Sequence, residues 1–281
     1  MKWLNKLKSR LLFSCLSLLF RPGKTEASSD FYEAAALLYQ SFFAEGKDDD
    51  IPFYISHASR EGGPVLDAAC GDARVMGPLA ENGHTVFGFD NSGSMLNLAR
   101  KNIEGLSPET KKNLHLCRAS MENIPFREKF RLAIIPYNSF NHLLTAESQK
   151  KCLDGIFHSL APGGLLIMEI LPFHQKYYEG IRMRRSGFLE RYNIHAGMYS
   201  RVTQDTEHGT HTVTWYIVER PPEGRPRRFI CDFTRKDIRV EDMRSMLKVS
   251  GFSVEGVSAS FRHKKDDNKC IILARKPDNP N

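Results

Sequence analysis

Between about residue 64 and residue 170 short apolar or β-branched runs alternate with helical patterns, and this alternation limits the possible folds more than any other feature. The runs are 65–67, 85–90, 114–118, 132–136 and 165–169. Strands separated by helices pair in parallel, because a crossover of that length returns the chain to the same end of the sheet. The helix after Asn91 puts Met95, Leu98 and Ala99 on one face, and the helix over 147–160 does the same with Cys152, Ile156 and Leu160. Pro162-Gly163-Gly164 stops that second helix and turns the chain into the next strand.

The pattern changes after residue 190. Segments 199–206, 210–219 and 227–234 read as three strands joined by turns at His208-Gly209 and 221–224, an antiparallel insertion at about 190–234. A helix at about 240–250 ends at Gly251, and strands 253–259 and 269–275 follow. The expected fold is α/β, a Rossmann-like, doubly wound sheet of seven strands whose antiparallel β insertion covers the active site. It occupies residues 29–281 as one domain, with a helical arm at 29–60 and a basic, Leu-rich leader at 1–28.

Charge bears on partners through its position. The chain has a net charge of +7. The leader holds Lys2, Lys6, Lys8, Arg10, Arg21 and Lys24, with only Glu26 among acids, so the remaining chain has little excess to form a basic face. That argues against nucleic acid as a partner. The apolar run 11–20 is too short to span a bilayer and meets Arg21-Pro22-Gly23 at once, with no small-x-small cleavage site. With Trp3, Leu4, Leu7 and Leu11 on one face, residues 1–20 suit weak contact with a membrane surface, or packing on the protein itself. Six scattered cysteines, with no C-x-x-C and no His at ligand spacing, indicate a reducing, cytoplasmic setting and no metal.

The chemistry concentrates where the first strand ends. The segment Val65-Leu66-Asp67-Ala68-Ala69-Cys70-Gly71-Asp72-Ala73-Arg74 places an acid at a strand tip, then small residues that let a ligand approach the backbone. The G-x-G-x-x-G fingerprint is missing, and a carboxylate at Asp67 would repel a pyrophosphate, so a dinucleotide fits poorly. The second strand ends in Asp90, 23 residues after Asp67, where an acid holds a ribose diol in nucleotide-binding folds. An acid for a cation and an acid for a ribose together suit S-adenosylmethionine.

With these motifs in hand, the sequence resembles the class I S-adenosylmethionine-dependent methyltransferases of the small-molecule type. The resemblance runs over roughly residues 50–275 through VLDAACGDARV, GFDNSGSMLNLAR, ASMENIPF, IIPYNSFNHLL and LAPGGLLIMEI. It implies that Asp67, Ala69, Gly71 and Arg74 line the methionine and adenosyl parts of the donor, and that Asp90 holds the ribose. It further implies that Asn91 and Met95 border the adenine, Ser120 and Met121 flank it, and Pro136 and Asn138 adjoin the methyl group. Met95 also has the spacing of a core residue. Ala69 and Ala73 stand where glycines are common, Ser120 where an adenine-binding Asp is frequent, and Arg131 where an Asp is usual.

Tyr32 and Tyr39 share a face of an apolar helix, and the resemblance makes Tyr32 a lid contact over the donor. Tyr137 and His142 follow the fourth strand and are the candidate catalytic residues, facing the acceptor; a hydroxyl acceptor would need such a group to take its proton, whereas a neutral amine would not. Arginines 182, 184, 185, 191, 225, 227 and 228 form either a solvated face or a clamp for an acidic acceptor. The expected function is methyl transfer from S-adenosylmethionine to an N or O atom of a small molecule. The alternatives are an RNA or protein methyltransferase and a non-catalytic S-adenosylmethionine-binding regulator.

Overall fold

The computed structural model describes residues 50–127, 129–173, 180–189, 193–261 and 269–278, together with the short strand 26–27. In chain order the first elements are β1 (Glu26–Ala27), α1 (Ile51–Glu61), β2 (Val65–Ala68), α2 (Met76–Glu81), β3 (Val86–Asp90), α3 (Gly93–Glu104), α4 (Pro108–Lys112), β4 (Leu114–Arg118) and β5 (Phe130–Ile135). A 3-10 turn (Ser139–His142), α5 (Ala146–Ser159) and β6 (Leu160–Ile170) follow. Then come β7 (Ile181–Leu189), β8 (Ile194–Asp205), β9 (Thr210–Arg220), β10 (Arg227–Lys236), α6 (Val240–Val249), β11 (Ser253–Ser258) and β12 (Cys270–Arg275). The chain divides into two compact units, each organised around its own sheet.

The larger unit carries the seven-stranded sheet, in the order β11-β12-β6-β5-β2-β3-β4. Strands β2 to β6 run parallel, and β12 lies antiparallel between β6 and β11. A parallel sheet is buried on both faces, which is why its strands are nearly continuous apolar runs. Val65, Leu132, Ile134, Leu165 and Ile167 face one layer with Tyr54 and Ala58 of α1, Met76 and Leu79 of α2, and Leu96 and Ala99 of α3. Leu66, Ala133, Ile135, Leu166 and Met168 alternate to the opposite layer, with Cys152, Leu153 and Ile156 of α5 and Met243 and Leu247 of α6. Gly88 leaves the space filled by Met76, whose Sδ would overlap a Cβ there.

Helix ends follow local chemistry. The Ser92 hydroxyl caps α3 by accepting the Met95 amide, and Thr145 with Ser148 forms a capping box at the start of α5. The expected burial of Met95, Leu98 and Ala99 on α3, and of Cys152 and Ile156 on α5, is present. The strand after α5 begins earlier than the glycine pair suggests. β6 takes up the chain at Leu160 and carries Pro162-Gly163-Gly164 within it, with a register irregularity against β5 between Phe130 and Leu132.

The second unit is a five-stranded sheet in the order β1-β10-β9-β8-β7. β8 pairs antiparallel with both β7 and β9, and β1 runs parallel to β10. Ile194, Ala196, Met198, Val213, Trp215, Ile217, Cys231 and Phe233 form its core. β7 is a strand beyond the three expected. Its arginines and Gly187 hide the alternation, and as an edge strand with a bulge between Met183 and Arg185 it tolerates charge that an inner strand would not. Among the described residues no helix is long and apolar enough to cross a membrane. None of their His, Cys, Asp and Glu side chains gather in threes as a metal site would require.

Because β2, β3, β5 and β6 are parallel, their carboxyl ends share one edge. Asn141, fully buried in the 3-10 turn, holds that edge together. Its Nδ2 donates to the carbonyls of Leu171 (3.1 Å) and Lys236 (2.8 Å), and its Oδ1 accepts the Leu171 amide at 2.9 Å. Asn141→Ala orphans all three buried main-chain groups and is expected to lower stability by about 3 kcal/mol, read from urea unfolding.

Candidate functional site

The loop leaving β2 has an unusual backbone. Ala69, Gly71 and Ala73 all adopt left-handed conformations, with φ of 58°, 57° and 64°. A residue with a Cβ pays about 1–2 kcal/mol for this, so the loop needs external restraint. Asp90 at the end of β3 supplies it: Oδ2 accepts the Gly71 amide and Oδ1 the Ser92 amide, each at 2.9 Å. The Cys70 amide also donates to the Phe89 carbonyl at 2.9 Å, and Asn102 of α3 donates to the Asp72 carbonyl at 2.8 Å. Two loops expected to touch one ligand are therefore tied to each other.

Asp67 has 1% exposure, and its Oδ1 has no hydrogen-bond partner. Burial pushes its carboxyl up to about 8; Arg74 opposes the shift, while Asp90, Asp50 and Asp72 reinforce it. Arg74 is engaged through both terminal nitrogens by Asp50, just before α1, at 2.8 and 2.6 Å. Asp67 thus feels one guanidinium, itself paired with Asp50, and the charges of three further acids. An anionic ligand is disfavoured at Asp67, and a cationic group offering N–H donors is favoured.

The residues expected to border the adenine lie beside Asp90 in the structure. Met95 is buried on α3 with its methyl 3.3 Å from where a Gly71 Cβ would lie, so it serves the core and borders the loop at once. Asn91 is exposed, and its carbonyl accepts from Arg118 Nε at 3.0 Å. The Ala119 amide donates to the Asp90 carbonyl at 3.2 Å, bringing Ser120 and Met121 to the same corner. The Ser120 hydroxyl accepts the Glu122 amide at 3.2 Å, and Met121 packs against the apolar layer.

Beyond β5 the chain is strained again. Tyr137 and Asn138 are consecutive left-handed residues at φ 57° and 59°, a rarity for a bulky side chain. The Pro136 carbonyl accepts both the amide and the hydroxyl of Ser139, and the Tyr137 amide donates to Glu169 Oε2 at 3.1 Å. Asn138 Oδ1 is buried without a partner. His142 closes the 3-10 turn and is half-buried. Tyr32 lies outside the described residues, as do Tyr39, the leader apart from Glu26 and Ala27, and Arg191.

Sequence reasoning missed Asp50, Tyr54 and Glu169. Glu169 had a signal, an acid near the end of the apolar strand β6 like those ending β2 and β3, and it has 2% exposure. Asp50 had a weaker one, an acid before Ile51-Pro52 at a helix start. Nothing in the sequence set Tyr54 apart from a core aromatic.

Comparison with known proteins agrees with this geometry. Residues 65–164, from the start of β2 into β6, match the family model described as a methyltransferase domain. The methyltransferase-family protein YqeM of Bacillus subtilis is 25% identical over 231 residues, covering 82% of this chain and 90% of that protein. An S-adenosylmethionine-dependent methyltransferase from Clostridium acetobutylicum superposes with a TM-score of 0.72 at 18% identity, over 88% of this chain and 100% of that one. The sugar N-methyltransferase KedS8 from a Streptoalloteichus species gives 0.74 at 14% identity, over 92% and 99%. Residues 65–164 thus match a methyltransferase domain, and the chain has the fold of S-adenosylmethionine-dependent methyltransferases.

The donor suits the residues present: it carries a sulfonium and an ammonium, and Asp67 Oδ1 lacks a donor. The loop strain yields a separate test. Ala73 is buried at φ 64°. Ala73→Gly relieves that conformation at some cost in unfolded-chain entropy, and is expected to raise stability by about 0.5–1 kcal/mol in urea unfolding.

Proposed function

We propose that the enzyme transfers the methyl group of S-adenosylmethionine to a nitrogen of a small-molecule acceptor, with a hydroxyl oxygen as the alternative nucleophile. The observation that carries the donor half is the buried, partnerless Asp67 Oδ1 at the carboxyl edge, which we assign to the donor's ammonium. Asp90 is assigned to the ribose diol; a carboxylate oxygen accepts two hydrogen bonds, so clamping Gly71 and Ser92 does not preclude this. Ala69, Gly71 and Arg74 border the methionine end, Asn91, Met95, Ser120 and Met121 the adenine, and Pro136 and Asn138 the methyl group. Tyr32 is kept as a lid contact.

The donor supplies an electrophilic methyl on a sulfonium. Transfer is an in-line displacement, so the protein acts mainly by alignment and exclusion of water. The strained Tyr137-Asn138 tip fits that task, because a backbone over-determined by the Glu169 contact and the Ser139 turn cannot drift from the methyl's position. A neutral amine would attack without a base, whereas for a hydroxyl His142 or Tyr137 would take the proton. A nitrogen is favoured because KedS8, similar in fold across nearly its whole length, is a sugar N-methyltransferase, and because the buried acid Glu169 beside that tip favours a basic acceptor. Acceptor choice is assigned to segments outside the donor loops.

The test joins binding to turnover. In the free protein burial pushes the Asp67 carboxyl up to about 8, which favours its protonated form near neutral pH. A cation at Oδ1 favours the ionised form, so binding below pH 8 releases a proton, and affinity rises with pH by at most about tenfold per unit up to that value. Calorimetry at pH 6.5 in buffers of different ionisation enthalpy is expected to show release approaching one proton. Asp67→Asn abolishes the release and weakens binding, and Asp90→Ala removes binding. Labelled donor incubated with small amines and hydroxyl compounds then identifies the nucleophile. Donor binding without proton release would dismiss the Asp67 assignment, and transfer only to RNA or protein would dismiss the small-molecule reading.

A further inference from the structure

One buried polar group at this edge is unused by the assignments above. Tyr54, in the first turn of α1, has 0% exposure and a hydroxyl with no hydrogen-bond partner. The helix presenting it is fixed at both ends. Asp50 grips Arg74 at the start, and Glu61 accepts from Arg275 Nη1 of β12 at 2.8 Å at the end. The ring packs edge-on against Phe261 with centroids 5.6 Å apart and lies in the layer containing Ile134 and Ile167. The phenol's position is thus set by packing, independently of any hydrogen bond.

Its surroundings are those of the donor site. In the sheet register Asp67 lies opposite Ile134 and Ile134 opposite Ile167, so Asp67 points to the face that Tyr54 covers. Glu169, two residues past Ile167, points the same way. Burial, Glu169, Asp50 and Asp67 all drive the phenol's proton affinity up, with only Arg74 opposing, so Tyr54 stays a neutral O–H donor. Phenylalanine would fill this space without leaving a buried hydroxyl unsatisfied.

Two orphaned atoms on one face, the Tyr54 hydroxyl and Asp67 Oδ1, have complementary needs, and neither satisfies the other. One has a proton to donate, and the other needs a donor or a cation. An α-amino acid end offers both partners on one carbon: an ammonium for Asp67 and a carboxylate for a hydroxyl beside Arg74. We propose that Tyr54 donates a hydrogen bond to the carboxylate of the donor's amino-acid end, a role that rests on the donor-site reading and extends the site to α1. It is a binding residue that fixes where the sulfonium stands.

The test compares wild type and Tyr54→Phe by calorimetry with S-adenosylmethionine and with its decarboxylated form. A lost hydrogen bond to a charged group predicts roughly tenfold or greater weakening for S-adenosylmethionine. The decarboxylated form is expected to bind both proteins equally, and to bind wild type at least tenfold more weakly than S-adenosylmethionine. Free Tyr54→Phe is expected to melt above wild type, which establishes that it folds and reports the relieved hydroxyl. Unchanged affinity in Tyr54→Phe, or the same loss for both ligands, overturns the proposal while leaving the donor site standing. Folded wild type that binds neither ligand overturns the donor-site reading itself.

Discussion

Asp90 is the tie on which the site depends. A single carboxylate accepts the amides of Gly71 and Ser92, and so holds the turn after β2 against the start of α3. Without it, a loop that places Ala69 and Ala73 in left-handed conformations would relax toward ordinary turns, because each such residue costs about 1–2 kcal/mol. With it, the backbone keeps its turn beside Asp67, which is itself buried. Burial raises the Asp67 carboxyl, and the Asp90 charge at the neighbouring strand tip adds to the shift. Any role Asp90 has toward a ribose is added to this structural one.

The parallel sheet explains why costly features gather at one edge. Helices covering both faces leave its interior no place for polar side chains, so Asp67, Asp90 and Glu169 occur at or near strand ends. Orphaned atoms of Asp67, Asn138 and Tyr54, and the left-handed residues 69, 71, 73, 137 and 138, belong to the segments that meet there. Arg74, which opposes the upward shift of Asp67, is matched by Asp50. The resulting field is negative, which suits a sulfonium and an ammonium and repels a dinucleotide's phosphates.

Much of this was legible in the sequence because it depends on local order. Acids ending apolar runs marked Asp67 and Asp90, and small residues after the first marked the loop. The same rule applied to β6 would have found Glu169. Other features were not legible, because they arise from tertiary placement. Tyr54 on an amphipathic helix reads as packing, and only the assembled structure shows its hydroxyl without a partner. Bulky Tyr137 has no sequence signal for positive φ, since sequence reasoning looks for glycine there. β7 was hidden because an edge strand needs neither alternation nor apolar character, and the early start of β6 because Pro-Gly-Gly reads as a terminator.

The free enzyme thus bears several unfavourable terms at one place, and they bear on how it recognises its donor. A buried hydroxyl, a carboxylate oxygen and an amide oxygen without a protein partner each cost about 1–3 kcal/mol, which a surrounding core of ordinary size can tolerate but does not relieve. A ligand that satisfies them gains what the free protein has already lost, with no further desolvation of those groups at binding. S-adenosylmethionine and its demethylated product share the amino-acid end and the ribose, so the contacts proposed for those groups would hold both. On that proposal the discrimination needed for turnover would come from the sulfonium charge near Asp67 and from the tip at Tyr137-Asn138. Under the proposed assignments an edge built this way would bind through groups remote from the reacting methyl and apply its geometry at the methyl itself.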